Sequence, residues 1–268
     1  MEQIQNNRVI TDLYRENAQF PGIALDGSDV YLCWQRFVDR HDSLMASCRR
    51  GDEVVWEREI SDGGEVLHPV ILAHGGAIWY AWSEYARENW RILARCYRDG
   101  QWGEVLTVAS GEALFFPRLF TWQGRLHVIW TEQHKGSAAA VLCPLTEAGP
   151  GAAETVSAVG EAYRAGAAEG GDGNLYVAYD GFDGKQYKLF ARARTAAGWS
   201  KEIVVSQGED WASTPWIAAK PDGAVVGWYD YGYMAVYSVR SADLTVRDGA
   251  LAAVNPQCLK EGVDWYLD

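Results

Sequence analysis

Pro69-Val-Ile-Leu-Ala-His-Gly-Gly-Ala-Ile-Trp-Tyr-Ala-Trp82 reads as two short apolar β runs joined by a glycine turn. The same phrase returns from Pro21 to Trp34, from Pro117 to Trp130 and from Pro215 to Trp228, with a worn copy from Arg164 to Tyr179. The closing aromatics Trp34, Trp82, Trp130, Tyr179 and Trp228 are spaced by 48, 48, 49 and 49 residues. A period that steady marks supersecondary units stacked in series.

Each unit continues into a second hairpin. After Trp82 a polar loop leads to Ile92–Tyr97, Asp99-Gly100 turns the chain, and Trp102–Val108 follows. The fourth copy repeats this with Leu189–Arg194, a turn at Gly198 and Trp199–Ser206. The third is blurred, with Glu147 to Glu154 reading as a longer loop. No helical periodicity appears. Serial four-stranded units of this length predict an all-β, five-bladed β-propeller of antiparallel blades. The whole chain, 1–268, forms one domain, with blades near 21–61, 69–108, 117–157, 164–206 and 215–240.

The ring needs closing, because an unpaired edge strand invites association. Arg8 to Pro21 aligns without a gap on Glu202 to Pro215, so Arg8–Asp12 is expected to complete the fifth blade. Removal of residues 1–13 would then expose a blade edge. The tail 243–268 is expected to pack across a face or edge, with Leu244–Val246 the competing closing strand.

A net charge of −12 and a pI near 4.9 argue against nucleic acid and anionic membranes as partners. The start of the chain has no charged segment followed by an apolar run, and no window is apolar enough to span a bilayer. Cys33, Cys48, Cys96, Cys143 and Cys258 form no Cys-x-x-Cys pair. An odd set without metal spacing fits reduced thiols and a cytoplasmic protein.

In a four-stranded blade, the loop before the first strand and the loop after the second emerge on one face. Acids crowd both: Glu16, Glu65, Glu112, Glu161, Glu209 and Asp210 before first strands, then Glu84, Glu132, Asp180 and Asp230 after second strands, with Arg36 in the first copy. Clustered carboxylates raise one another's pKa and bind hard cations, so Glu84 and Glu132 are the candidate catalytic pair. The alternative is an ordinary solvated acidic surface. No cofactor motif is present, and a cation at the acidic channel mouth is the one cofactor the charge would accept.

The repeated Trp residues fit inter-blade packing better than ligand stacking. Trp90, Trp211 and Trp216 lie outside the repeat and suit ring stacking, with Asp210 and Asp230 beside the latter two as acceptors for hydroxyls. His68, one residue before a repeat Pro, is placed to face the channel mouth, whereas His127 sits inside a strand.

The early Pro, the strand-ending Trp and the third turn (Asp99-Gly100-Gln101-Trp102, Gly198-Trp199) resemble the layout of sialidase-superfamily propellers with BNR-type repeats. The family's Asp-box, Ser-x-Asp-x-Gly-x-x-Trp, is not intact here. Only Arg118 and Arg164 occupy inner-strand starts comparable with the family's arginine triad, so the resemblance is one of layout. Arg36, His68, Arg118, Asp180, Trp211, Trp216 and Asp230 therefore make up the expected ligand-binding set. Together these features favour recognition of a carbohydrate or other polar small molecule on the loop face. The alternatives are a glycan-active hydrolase using Glu84 and Glu132, and a platform for a protein partner.

Overall fold

The computed structural model describes residues 17–61, 63–158, 160–232 and 237–263. Five antiparallel sheets follow one another along the chain. Blade 1 holds β1 (Asn17–Asp26), β2 (Asp29–Val38), β3 (His41–Arg50) and β4 (Glu53–Glu59). Blade 2 holds β5 (Glu65–His74), β6 (Ala77–Ala86), β7 (Asn89–Arg98), β8 (Gln101–Trp102) and β9 (Leu106–Gly111). Blade 3 is built from β10 (Ala113–Trp122), β11 (Arg125–His134), β12 (Ser137–Thr146), β13 (Gly149–Pro150) and β14 (Glu154–Thr155). Blade 4 contains β15 (Ala162–Glu169), β16 (Leu175–Phe182), β17 (Tyr187–Thr195), β18 (Gly198–Trp199) and β19 (Ile203–Val204). Blade 5 contains β20 (Trp211–Lys220), β21 (Gly223–Tyr231), β22 (Tyr237–Arg247) and β23 (Ala250–Val263).

The hairpin turns follow from local chemistry. Between β5 and β6 only Gly75 and Gly76 remain, at φ 58° and 72°. A two-residue turn with both φ values positive matches the twist of the paired strands, and glycine reaches it without strain. In blades 2, 3 and 4 the outermost strand is broken into two pieces, both pairing with the third strand. The stretch expected to loop out in blade 3 thus carries β13 and reaches β14: two short ladders suffice where a Gly-Pro-Gly sequence cannot sustain one long strand.

Every first strand carries one bulge. In β1 the register to β2 shifts between Gln19 and Gly22, leaving Phe20 and Pro21 opposite Trp34 alone. The same two-against-one step sets His68-Pro69 opposite Trp82, Phe116-Pro117 opposite Trp130, Arg164-Ala165 opposite Tyr179 and Thr214-Pro215 opposite Trp228. The first residue of each pair has positive φ: 51° at Phe20, 54° at His68, 55° at Phe116, 28° at Arg164 and 53° at Thr214. Proline in the second place lacks the N–H that an interrupted ladder cannot satisfy, which explains its return in four of the five copies.

The aromatic opposite each bulge fills the space between blades. Trp82, Trp130, Trp228 and Tyr179 are fully buried and Trp34 nearly so. The core is divided among the junctions. One cluster joins blades 1 and 2, two join blades 2 and 3, one joins 3 and 4, and one joins 4 and 5. No such cluster joins blade 5 to blade 1 among the described residues: Trp216 on β20 stays 44% exposed, and Ile23 and Leu25 on β1 stay 65% and 64% exposed. Among the described residues this junction is packed less than the other four. No helix in the described residues is long and apolar enough to cross a membrane.

The fifth blade corrects one expectation. The tail takes an edge, one of its two expected placements, but as a regular strand: β22 runs on to Arg247, and β23 pairs with it from Ala250 back to Val263. Leu244–Val246 belongs to this third strand, and the C-terminal segment is the fourth. The outer edge of β22 is therefore taken. Arg8–Asp12, expected in that position, lies outside the described residues. Matching register made the N-terminal segment plausible, but the C-terminal strand is joined to β22 by a turn of only Asp248 and Gly249, and so pairs first and at little entropic loss.

Two outcomes follow. Trp82→Ala, which empties a fully buried ring opposite a bulge, should lower the unfolding free energy by about 3–5 kcal/mol in a denaturant titration. Ending the chain after Asp248 strips β22 of its partner and should give an aggregating or much less thermostable product, read by differential scanning calorimetry and light scattering.

Candidate functional site at the central channel

The five bulges bring their first residues to one place. Phe20, Pro21, His68, Pro69, Phe116, Arg118, Arg164, Thr214 and Pro215 line a single cavity of about 390 Å³ with contributions from all five inner strands. Positive φ is what turns these side chains toward the axis; in regular strand they would lie against a neighbouring blade. The bulge and its aromatic repeat because the fold needs them. The channel-facing residue is Phe, His, Phe, Arg and Thr in turn, so the fold leaves that choice free.

The lining is two-sided. On blades 1 to 3, Phe20 meets His68 edge-on at 4.9 Å between ring centroids, and His68 meets Phe116 at 4.3 Å. Burial, helped by the charge of Arg118, pulls the His68 pKa down to about 4, so the ring is neutral at pH 7. Its Nδ1 is buried and has no hydrogen-bond partner. The remaining wall is polar, with Arg118, Arg164 and Thr214. Arg164 donates through Nε to Asp180 Oδ1 at 3.2 Å and through Nη2 to Oδ2. Burial raises the Asp180 pKa, while Arg164 and the Thr214 backbone N–H oppose that rise. Water reaches Arg118 in the channel, although the surrounding walls desolvate it enough to lower its pKa. Arg118 has no acidic partner among the described residues, and no carboxylate lines the cavity.

The expected acidic cluster is resolved into separate ion pairs. Glu84 is fully buried, accepting from Trp82 Nε1 at 3.3 Å and from Arg91. Asp230 is buried beside Arg240 at 2.6 Å, and burial raises its pKa against that pairing. Glu132 lines a different cleft, of about 350 Å³, with His134 and Thr155 on blade 3. Among the described residues no three His, Cys, Asp or Glu side chains gather as a metal site would need. The reason is local: Arg91 on β7 and Arg240 on β22 stand beside Glu84 and Asp230 within the same sheet, and a buried carboxylate without such a partner would be strongly destabilising. Of the rim acids, Glu65 accepts from the Asp42 N–H and Glu112 from the Lys135 N–H, which ties loops together. Arg36 pairs with Glu59 at 3.1 Å.

Of the expected ligand-binding set, then, His68 and Arg118 line the channel, and Asp180 is buried behind Arg164 of the lining. Trp211 sits on the rim, 44% exposed, and Trp216 packs edge-on against Tyr229 at 4.7 Å near the junction of blades 5 and 1. Phe20, Phe116 and Thr214 were not singled out by the sequence reading. Their signal was available, because each directly precedes a repeat Pro at a position whose occupant changes from copy to copy.

No family model matches the chain, and no curated protein matches its sequence. Solved structures do resemble it. A thermostable family-43 glycoside hydrolase is similar over 90% of this chain and 94% of its own, with a TM-score of 0.52 and 12% identity. A puromycin-hydrolyzing peptidase from Mycobacterium tuberculosis gives a TM-score of 0.57 and 17% identity over 90% of this chain, which corresponds to 37% of that protein. A mannose phosphorylase from Leishmania mexicana, solved with a phosphate ion, gives 0.51 and 11% over 82% of this chain and 81% of its own. At such identities what the chain shares with them is the fold: it is a five-bladed β-propeller with the layout that its repeats implied.

Proposed function

We propose that the protein binds a carbohydrate bearing an anionic group at its central channel. The observation that carries this reading is Arg118, a guanidinium in the channel without a carboxylate partner among the described residues, in a chain of net charge −12. Elsewhere Arg36, Arg50, Arg91, Arg98, Arg164, Arg194 and Arg240 each hold an acid. An arginine that holds no acid among the described residues, and shares a cavity lining with Arg164, suits a carboxylate or phosphate supplied by a ligand. Phe20 and Phe116 offer apolar faces to a sugar ring, and neutral His68 and Thr214 offer hydroxyl partners. Resemblance to a glycoside hydrolase and a mannose phosphorylase supports the carbohydrate class at the level of fold.

Binding is favoured over hydrolysis by Glu84 and Glu132. Glycoside cleavage needs two carboxyl groups facing one bond, and Glu84 is sealed behind Arg91 and Trp82 while Glu132 opens on another cleft.

Glucuronic, galacturonic and mannuronic acids should raise the melting temperature in a thermal-shift assay, with glucose 6-phosphate testing the phosphate arm and glucose as the neutral control. Arg118→Met should abolish the acid-dependent rise. Equal shifts with glucose, or shifts that survive Arg118→Met, would refute the reading.

His68 adds a pH signature. In the unfolded chain its pKa is about 6.5, whereas the folded value is about 4. Between these values the unfolded state binds the extra proton, so the His68 contribution is complete above about pH 6.5 and is lost as pH falls toward about 4. His68→Asn keeps a residue tolerant of positive φ. It should flatten the fall in stability over that interval, measured by urea unfolding at successive pH values; an unchanged slope would mean that His68 titrates normally.

A further inference from the structure

Aromatic rings gather on the loop face in two places, where Tyr85, Trp90 and Phe115 meet on blades 2 and 3, and along blades 4 and 5. Three residues after the closing aromatic the five blades place Phe37, Tyr85, Gln133, Phe182 and Tyr231. Facing these on the third strand are Asp42, Trp90, Ala138, Tyr187 and Tyr237. Three residues before the bulge they place Asn17, Glu65, Ala113, Glu161 and Trp211. Blade 3 satisfies the fold with Ala113, Gln133 and Ala138 at these three positions, so the aromatics of the last two blades are not required by packing alone.

These rings form one continuous path. Tyr163, the residue before channel-lining Arg164, lies 6.1 Å from Tyr187 between centroids. Tyr187 lies 5.6 Å from Trp211, and Trp211 5.8 Å from Tyr231. Tyr231 continues to Tyr237 at 5.4 Å. The path starts beside the channel, since Tyr163 directly precedes Arg164 of the lining and pairs with Asp180 across β15 and β16. Trp211, in the middle, is 44% exposed.

We infer that the ligand is an acidic oligosaccharide, with one charged sugar in the channel and the following sugars laid on the aromatic path Tyr163–Tyr187–Trp211–Tyr231. This rests on the channel reading above and adds ligand length to it. A pyranose ring presents an apolar C–H face with hydroxyls at its edge. A row of half-exposed Tyr and Trp rings matches both, and its rigid side chains lose little entropy on contact. A single sugar would occupy the cavity and leave this surface unused.

The test compares monomers with homotrimers of glucuronic, galacturonic and mannuronic acid by isothermal titration calorimetry. At least one trimer is expected to bind about tenfold or more tighter than its monomer, since roughly 1.4 kcal/mol of added ring contact corresponds to that factor. Trp211→Ala should remove the gain without changing the monomer Kd, and Trp211→Tyr should keep most of it. Tyr187→Leu provides a second interruption of the path. Monomer binding with no gain on lengthening, or a gain that survives both Trp211→Ala and Tyr187→Leu, overturns the inference and leaves the channel reading standing. Absence of binding by every monomer and trimer overturns both.

Discussion

The rest of the molecule depends on a single arrangement made five times: a two-residue bulge in the first strand, set against one large aromatic in the second. The aromatic fills the wedge between neighbouring blades, and burying a ring of that size contributes several kcal/mol through area alone. The bulge bends the strand and sends one side chain to the axis. Packing and channel are therefore two consequences of the same local geometry. Left-handed φ at residues such as Phe20, His68 and Phe116 is unfavourable in isolation. It persists because the following proline and the facing ring over-determine it.

Charge is distributed by the same geometry. A buried acid near the end of a second strand finds a cation within its own sheet, as Glu84 finds Arg91 and Asp230 finds Arg240. The acids thereby become part of the scaffold. Residues beside the bulge face solvent in the channel and carry no such obligation. That is how a strongly acidic chain comes to present arginine at its axis. Asp180 spans both regimes, buried in the wall yet bound to Arg164 of the lining. Its part is to hold one guanidinium in place while the other, Arg118, stays open.

The blades are alike in their cores and unlike at their loop ends. Inner positions repeat Pro and Trp, whereas the strand ends vary, small or polar at Gln133 and Ala138 in blade 3 but aromatic at Tyr85 and Trp90 in blade 2 and at Phe182, Tyr187, Tyr231 and Tyr237 in blades 4 and 5. The junctions differ too: four are sealed by shared apolar clusters, and the fifth leaves Ile23, Leu25 and Trp216 largely exposed. A repeat array tolerates such divergence because each blade is stabilised mainly by its immediate neighbours.

Blade number, blade boundaries and the structural role of the repeated Trp residues were legible in the sequence. They rest on spacing, and spacing survives without coordinates. His68 and Arg118 could be placed near the axis for the same reason, being adjacent to a repeated Pro. Three things were decided only by the tertiary structure. The sequence locates Glu84, Glu132, Asp180 and Asp230 after equivalent strands, but whether such acids cluster or are neutralised depends on which arginine the adjacent strand supplies. The completion of blade 5 turned on chain connectivity at Asp248 and Gly249, which let β23 take an edge that the register alone had assigned to the N-terminus. The channel lining required the sign of φ at five residues. A bulge reverses which face a side chain occupies, and an alternating pattern read from the sequence cannot reveal where that alternation is broken.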